Sequence, residues 1–438
     1  MIEAQTRATL LWAPSAWVGG RWRDDVVLET DVNGRWLSIT PDQPPPPHAE
    51  ALTGAVLPGL VNAHSHAFQR AFAGLAERRD SEHDDFWSWR DRMYGVALRI
   101  TPDELRSVAT QLYAELLQGG YSHVCEFHYL HHAPDGTPYP DPLAMCEALA
   151  QAAAATGIGL TLLPVLFERA GFAQPALRDD QRRFRTDVRS VLALRDGVRA
   201  ARWPGVDAGV AIHSLRAAAP ASIHALREAL EGDAAPIHIH VAEQTAEVDD
   251  CIAATGRRPI EWLAHEGLLD ARWQLVHATH ATPNEIDAVS HSGAGVVLCP
   301  TTEANLGDGI PDLPRWLASA TPLSIGSDSH VGRDWPEELR WLEYAQRLVQ
   351  RRRNVAALPG AEPSTAARLF QAALAGGAAA AGWPKTGLHV GARADLLLLQ
   401  PDGKAPSHAL DRLIFAPRAL PFSRTMVAGR WATSAAPT

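Results

Sequence analysis

His64-Ser65-His66 closes an apolar run over residues 55–63. Side chains alternate faces along a strand, so these two imidazoles point the same way at the end of a buried run. There they can hold one metal ion from below. The pair alone says little: H-x-H arises by chance, and this chain, with 19 His, has a second one in His238-Ile-His240. Its weight comes from what ends the other apolar runs. Glu126-Phe-His-Tyr129, His213-Ser-Leu-Arg216, His238-Ile-His-Val-Ala-Glu243, His277-Ala-Thr-His280 and Gly326-Ser-Asp328-Ser-His330 all sit at such ends. Any one of them reads as a satisfied polar terminus. The set reads as a site.

Three imidazoles, His64, His66 and His240, with the carboxylate of Asp328 suit one Zn²⁺ or another borderline divalent ion such as Fe²⁺, and leave a position for water. His238 shares a face with His240 one layer deeper, and reads as a packed or supporting residue. Glu243 lies just past His240 and can reach over the ion without ligating it. A carboxylate there can take a proton from an attacking water and hand it to a leaving nitrogen. His277 can hydrogen-bond the water or stabilise charge on a tetrahedral intermediate, and Asp328 can share the proton work. His128, His131 and His132 have the look of a second cluster. Without a carboxylate at suitable spacing, they read as polar loop residues.

The runs that carry these residues are candidate strands over 55–64, 122–129, 159–167, 207–214, 236–241, 273–278, 294–300 and 322–327. Helical stretches separate them, such as 102–118, 142–155, 221–230, 245–253 and 283–290. Eight strands alternating with helices predict an α/β fold, a (β/α)₈ TIM barrel, with chemistry at the C-terminal strand ends. An open doubly wound sheet would bring a Gly-rich phosphate loop, and no G-x-G-x-x-G follows a strand. The ends of the chain differ. Residues 10–26 and 27–39 alternate apolar and polar around Gly19-Gly20 and Asn33-Gly34, and 394–400 and 425–431 also read as strands. They predict a small β-sandwich-like unit built from both termini. The expected division is 1–57 and 385–438 for that unit and 58–384 for the barrel, with the Pro-rich 41–47 a solvated connection.

Composition sets the outer limits. The chain has 438 residues, 46% hydrophobic and 21% charged, enough for a sizeable core in a soluble globular protein. A net charge of −10 argues against nucleic acid. No apolar run has transmembrane length, and Met1-Ile-Glu-Ala-Gln-Thr-Arg7 lacks the start of a signal peptide. Cys125, Cys146, Cys251 and Cys299 are scattered without C-x-x-C spacing, so the expectation is a reducing cytoplasm without disulfides or a zinc knuckle. Lys385 and Lys404 are the only lysines; the other 38 of the 40 basic residues are Arg.

On these residues the chain resembles the amidohydrolase superfamily. The likeness rests on Leu57-Pro-Gly-Leu-Val-Asn-Ala-His64-Ser-His66, His240, His277 and Ser327-Asp328, with the terminal β-unit. Binuclear members bridge two metals with a carboxylated lysine, or sometimes a Glu, from the middle strands. Both lysines here lie beyond the barrel, which excludes a lysine bridge. His240 with Glu243 resembles the mononuclear deaminase branch, which attacks an amidine-type carbon and expels ammonia.

Within that branch the strings His64-Ser-His-Ala-Phe-Gln-Arg-Ala71, Phe86-Trp-Ser-Trp-Arg90 and His238-Ile-His-Val-Ala-Glu-Gln244 are similar to the formimidoylglutamate deiminases. The resemblance implies that Gln69, Arg90, Tyr129, His213 and Arg216 orient a glutamate whose two carboxylates call for cations and hydroxyls. It also implies one zinc per subunit, a homodimer, and conversion of N-formimino-L-glutamate and water to N-formyl-L-glutamate and ammonia in histidine degradation. Blander readings exist for single residues: Arg90 as a surface charge in a mobile loop, Arg216 in a structural ion pair, Trp87 and Trp89 as loop packing. Two rivals stand beside the whole. One is a deaminase of a purine or another aminated heterocycle on the same scaffold. The other is a non-catalytic scaffold, which usually loses metal ligands that this chain retains.

Overall fold

Eight parallel strands, buried along almost their whole length, follow one another round a barrel. They are β1 (Leu60–Ser65), β2 (Tyr121–His128), β3 (Gly159–Leu166), β4 in two pieces (Val206–Ala208 and Val210–Ile212), β5 (Ile237–Val241), β6 (Trp273–His277), β7 (Gly295–Leu298) and β8 (Leu323–Ile325). The computed structural model describes residues 8–78, 86–417 and 421–432. Helices between the strands cover the barrel, as expected for near-continuous apolar strands buried on both faces. Two of them start on capping boxes, Thr101 with Glu104 and Thr282 with Glu285, each followed by a proline at the first helical turn.

The barrel closes through side chains and a short backbone seam just past the strands. Ser65 bridges Asp328, the Asp328 N–H donates to the His64 carbonyl at 3.0 Å, and the His66 N–H donates to the Asp328 carbonyl at 3.2 Å. Below them the Asn62 amide takes the place of a ladder rung: it donates to Ser327 Oγ at 2.7 Å and accepts from the Ser327 N–H at 2.9 Å. Gly326 makes this approach possible, because a Cβ there would lie 2.7 Å from His64 Cβ and 2.9 Å from its backbone N and O. The helix Thr365–Ala380 packs on both seam strands, with Gly376 against the Leu323 carbonyl and Gly377 against Val61.

Glycines also account for where the strands depart from the sequence reading. The expected strand 55–64 is two strands. Val56–Pro58 pairs antiparallel with Leu396–Leu398 in the terminal sheet, and the chain turns into the barrel at Gly59, where a Cβ would meet Ser122 Oγ at 2.5 Å. The expected strand 207–214 breaks at Gly209, pressed against the Pro236 carbonyl. The Trp-rich stretch after β1, read as a loop, is the helix Phe86–Ala97.

The termini form one sheet. Its order is Arg430–Trp431, Phe422–Val427, Leu396–Leu399, Val56–Pro58, Leu10–Val18, Arg21–Thr30 and Trp36–Thr40, with Glu50–Ala51 beside Leu10–Val18. It curls over its own core of Leu11, Val26, Leu28, Trp36, Leu396 and Met426, and a bridge between Arg35 and Arg393 draws the Trp36–Thr40 edge toward the segment leading into Leu396–Leu399. Among the described residues, no helix is long and apolar enough to cross a membrane.

Candidate active site

Strand ends bring His64, His66, His240 and Asp328 to one point. His64 Nε2 lies 3.1 Å from His66 Nε2 and 3.0 Å from His240 Nε2, and Asp328 Oδ1 lies 3.4 Å from both His64 Nε2 and His66 Nε2. Ligands about 2.0–2.1 Å from a zinc ion stand roughly 3.3 Å apart, so this spacing fits a shared ion. Two of the imidazoles have their other nitrogen fixed: His66 Nδ1 donates to the Phe127 carbonyl and His240 Nδ1 to the His213 carbonyl, each at 2.9 Å. That tautomer turns the Nε2 lone pairs inward. Burial holds all three imidazoles below the usual histidine range, helped at His64 and His240 by neighbouring imidazoles, so they stand as neutral donors. His238 lies off this point, its Nε2 on the Ala380 carbonyl at 2.9 Å.

Carboxylates surround His277. Its Nε2 is 3.6 Å from Glu243 Oε1 and 3.8 Å from Asp328 Oδ2, while its Nδ1 is 3.3 Å from Glu303 Oε1. Burial alone would lower the imidazole, but the three carboxylates outweigh it and raise His277 to about 10. Burial pushes Glu243 up to about 7, with His277 and Arg216 pulling the other way. Several of these groups sit on unusual backbone. Ala242, His277, Ala278, Asp328 and His330 have φ between 47° and 70°, a left-handed conformation that side chains rarely adopt. Such strain clusters at sites where geometry is held for chemistry.

Below the ligands, Glu126 fixes the β1 terminus. It accepts from Ser65 Oγ and from the Ala67 N–H, each at 2.6 Å, and so grips the residues on either side of His66. Burial pushes its carboxyl up to about 7.

Above the ligands is a cavity of about 50 Å³ lined by His66, Gln69, Arg90, Tyr129, His213, Arg216, His240, Glu243, His277 and Asp328. Every candidate site residue except His64 therefore faces one space. Gln69 Nε2 donates to the Tyr129 hydroxyl at 3.1 Å. Arg216 lies over the Phe86 and Trp87 rings, and Arg90 over Trp87 and Tyr94, so the aromatics of the helix Phe86–Ala97 carry both guanidiniums. Trp89, read as packing, also lines the cavity. Arg216 Nη1 and Arg90 Nε are buried without hydrogen-bond partners. Arg90 touches Asp91 at 3.3 Å, and among the described residues no carboxylate pairs with Arg216. Neither blander reading of the arginines describes this arrangement.

The sequence reading missed Glu303 and Asp308. Both follow β7, whose end offered no candidate: Glu303 from the helix Pro300–Leu306, Asp308 just beyond it under the Gln244 amide. The available signal was an acidic residue in the first turn after a strand, Cys299-Pro-Thr-Thr-Glu303.

A barrel with this cluster at its strand ends defines a metal-dependent hydrolase class, and the chain belongs to the amidohydrolase family, whose pattern matches residues 55–432. The formimidoylglutamate deiminase of Pseudomonas aeruginosa is 47% identical to it, over 96% of this chain and 94% of that protein. A 5-methylthioadenosine/S-adenosylhomocysteine deaminase of Natronomonas pharaonis is 28% identical over 85% of this chain and 80% of its own length. The crystal structure of an amidohydrolase from Brucella melitensis superposes with a TM-score of 0.91 at 42% identity, covering 97% of this chain and 94% of that one.

Proposed function

We propose that this protein is a metal-dependent deiminase that hydrolyses N-formimino-L-glutamate to N-formyl-L-glutamate and ammonia, a step of histidine degradation. One observation carries the substrate: the buried Arg216 and the half-buried Arg90, each with one buried nitrogen lacking a partner, face the same cavity as the ligand cluster. An unpaired buried donor is costly, and a dicarboxylate removes that cost. The formimidoylglutamate deiminase relative agrees with this choice over the distant purine-type deaminases.

In this reading His64, His66, His240 and Asp328 hold one zinc, with iron(II) the other ion the donor set would accept. The ion would supply a water acidified to near-neutral pKa. Glu243 would accept a proton from a water attacking the formimino carbon and return it to the departing nitrogen. His277, kept protonated by its carboxylates, offers Nε2–H to the oxygen on which charge develops. Asp328, whose Oδ2 lies 3.8 Å from His277 Nε2, would share the proton work. Arg216 and Arg90 hold the carboxylates, and Gln69, Tyr129 and His213 set the orientation. The exposed apolar side chains Trp341, Tyr344 and Leu348, spaced along one helix face, suit a homodimer, and the cytoplasm is the proposed location.

The test is ammonia release from formiminoglutamate, guanine and an adenosine derivative, with and without chelator. Chelator-sensitive turnover of formiminoglutamate alone is expected. Release from a purine, with none from formiminoglutamate, would overturn the assignment, and well under one metal per chain in protein purified without chelator would favour a non-catalytic scaffold. Arg216→Ala should raise KM about 100-fold, since a charged hydrogen bond is worth roughly 1.5–3 kcal/mol, and leave the metal in place. An unchanged KM removes Arg216 from the site.

A further inference from the structure

Outside the barrel wall, away from the cavity, three more ligand-type side chains converge. His128 ends β2, His131 lies in the loop beyond it, and Cys146 is in the first turn of the helix Ala144–Thr156. One nitrogen from each imidazole and the thiol sulfur lie within 4.8 Å of one another, and all three residues are buried. Ligands about 2.0–2.3 Å from a common ion in a trigonal arrangement stand roughly 3.5–3.7 Å apart, so rotations of about an ångström bring these three onto one ion. Each imidazole has one backbone carbonyl beside it, Leu130 for His128 and His128 for His131. His128 Nε2 and both ring nitrogens of His131 are buried without a well-formed hydrogen bond. Buried polar atoms left in this state ordinarily mark a missing partner.

The donor set and its surroundings select the ion. The thiolate is a soft ligand and the two imidazoles are borderline ones that copper also accepts, and no carboxylate joins them. Arg183 is buried nearby. Its Nε donates to the His132 carbonyl at 2.7 Å, its Nη1 to the Ile100 carbonyl at 2.9 Å and its Nη2 to the Tyr139 hydroxyl at 3.3 Å, all uncharged groups. A dication with one thiolate would leave a net buried positive charge beside that guanidinium, whereas a monovalent ion with one thiolate leaves none. An entry path exists, because His131 lines a cavity of about 280 Å³ together with His132, Tyr139, Leu143 and Arg185.

We propose that His128, His131 and Cys146 form a second metal site, separate from the catalytic cluster, that binds one Cu(I). Binding breaks the S–H bond, forms the S–Cu bond and releases the proton to solvent, with no change of oxidation state. From sequence, His128, His131 and His132 read as polar loop residues for want of a carboxylate nearby; the fold instead brings Cys146 from the next helix to the first two. An ion there braces the wall between Phe127, whose carbonyl holds His66, and Tyr129, which lines the cavity.

The test titrates zinc-saturated enzyme anaerobically with Cu(I) buffered by bicinchoninate. The expected result is one Cu(I) per chain beyond the zinc, with near-ultraviolet thiolate-to-copper absorption. Cys146→Ser and His131→Gln should each reduce that equivalent to none while zinc content and ammonia release stay as in the parent; the second variant serves if the first fails to fold. No uptake above zinc overturns the proposal. So does uptake that survives both variants, which would point to another thiol such as Cys299 beside His277, or uptake of a second zinc in place of copper.

Discussion

At the scale of single residues, the site depends on groups that never touch the ion. Glu303 Oε1 accepts from both His277 Nδ1, at 3.3 Å, and the Cys299 N–H, at 2.8 Å. That second bond anchors the carboxylate, so the imidazole is oriented by a group the backbone holds in place. His277 needs such an anchor, because its own φ of +70° lies in a sparsely populated region. Glu303→Gln keeps the shape but gives up the charge that favours imidazolium. It should lower kcat about 10- to 100-fold, the usual range for an outer partner of a site, with KM within a few-fold and metal content unchanged. His277→Gln should lose more. A steady-state comparison with metal analysis separates the cases: a fall in metal occupancy, or a rise in KM alone, would make Glu303 a merely structural residue.

At the scale of elements, the closing seam and the proposed ligand cluster are the same few residues, so strand geometry and metal affinity should be linked. Gly326→Ala would set a methyl 2.7 Å from His64 Cβ and 2.9 Å from its backbone N and O, and backbone atoms have little room to yield. Overpacking of this kind costs about 1–3 kcal/mol. The expected outcome is a drop in zinc affinity of about tenfold or more, read as metal per chain after dialysis against a weak chelator, with ammonia release falling in step. Full retention of zinc would show that the seam can slide.

The same seam explains what the sequence made legible. β2, β3, β5 and β6 were readable as buried runs of strand length, three of them carrying a histidine at or next to the last position, and the helix Pro102–Gln118 because its cap and proline mark the start. The break at Gly59 had a local signal in Pro58-Gly59, while the need for glycine there comes from Ser122, far away in the chain. Arg90 was placed in a loop because Phe86-Trp-Ser-Trp has no clear helical period, and its helix is held by rings packed on Phe72 and on one another. Glu303 was missed because its significance lies in reaching His277 at the end of the neighbouring strand. Local patterns gave up the elements; contacts between distant strands did not show.

At the scale of the whole molecule, the proposed ion spans a weak point. β1 and β8 meet through one bridge of two backbone bonds and the Asn62–Ser327 pair, where the other neighbouring strands pair over longer stretches. His64 and His66 lie on one side of that seam, Asp328 on the other, and His240 comes from β5 across the barrel. An ion held by all four would join three strands that the backbone alone links poorly. Anything that binds only the folded chain stabilises it, by about 2.7 kcal/mol when free ion stands 100-fold above its dissociation constant. In a chain this long that is a shift of a few degrees in the unfolding midpoint. Removing the metal with chelator should lower the midpoint by that order, and zinc should restore it. The loss should also be local: amide exchange is expected to speed first at residues 62–66 and 326–330, before strands remote from the seam. Asp328→Asn, which weakens the ligand on the β8 side, should blunt both the midpoint shift and the exchange difference. If verified metal removal leaves midpoint and exchange unchanged, the barrel closes without help from the ion, and its role is confined to the chemistry.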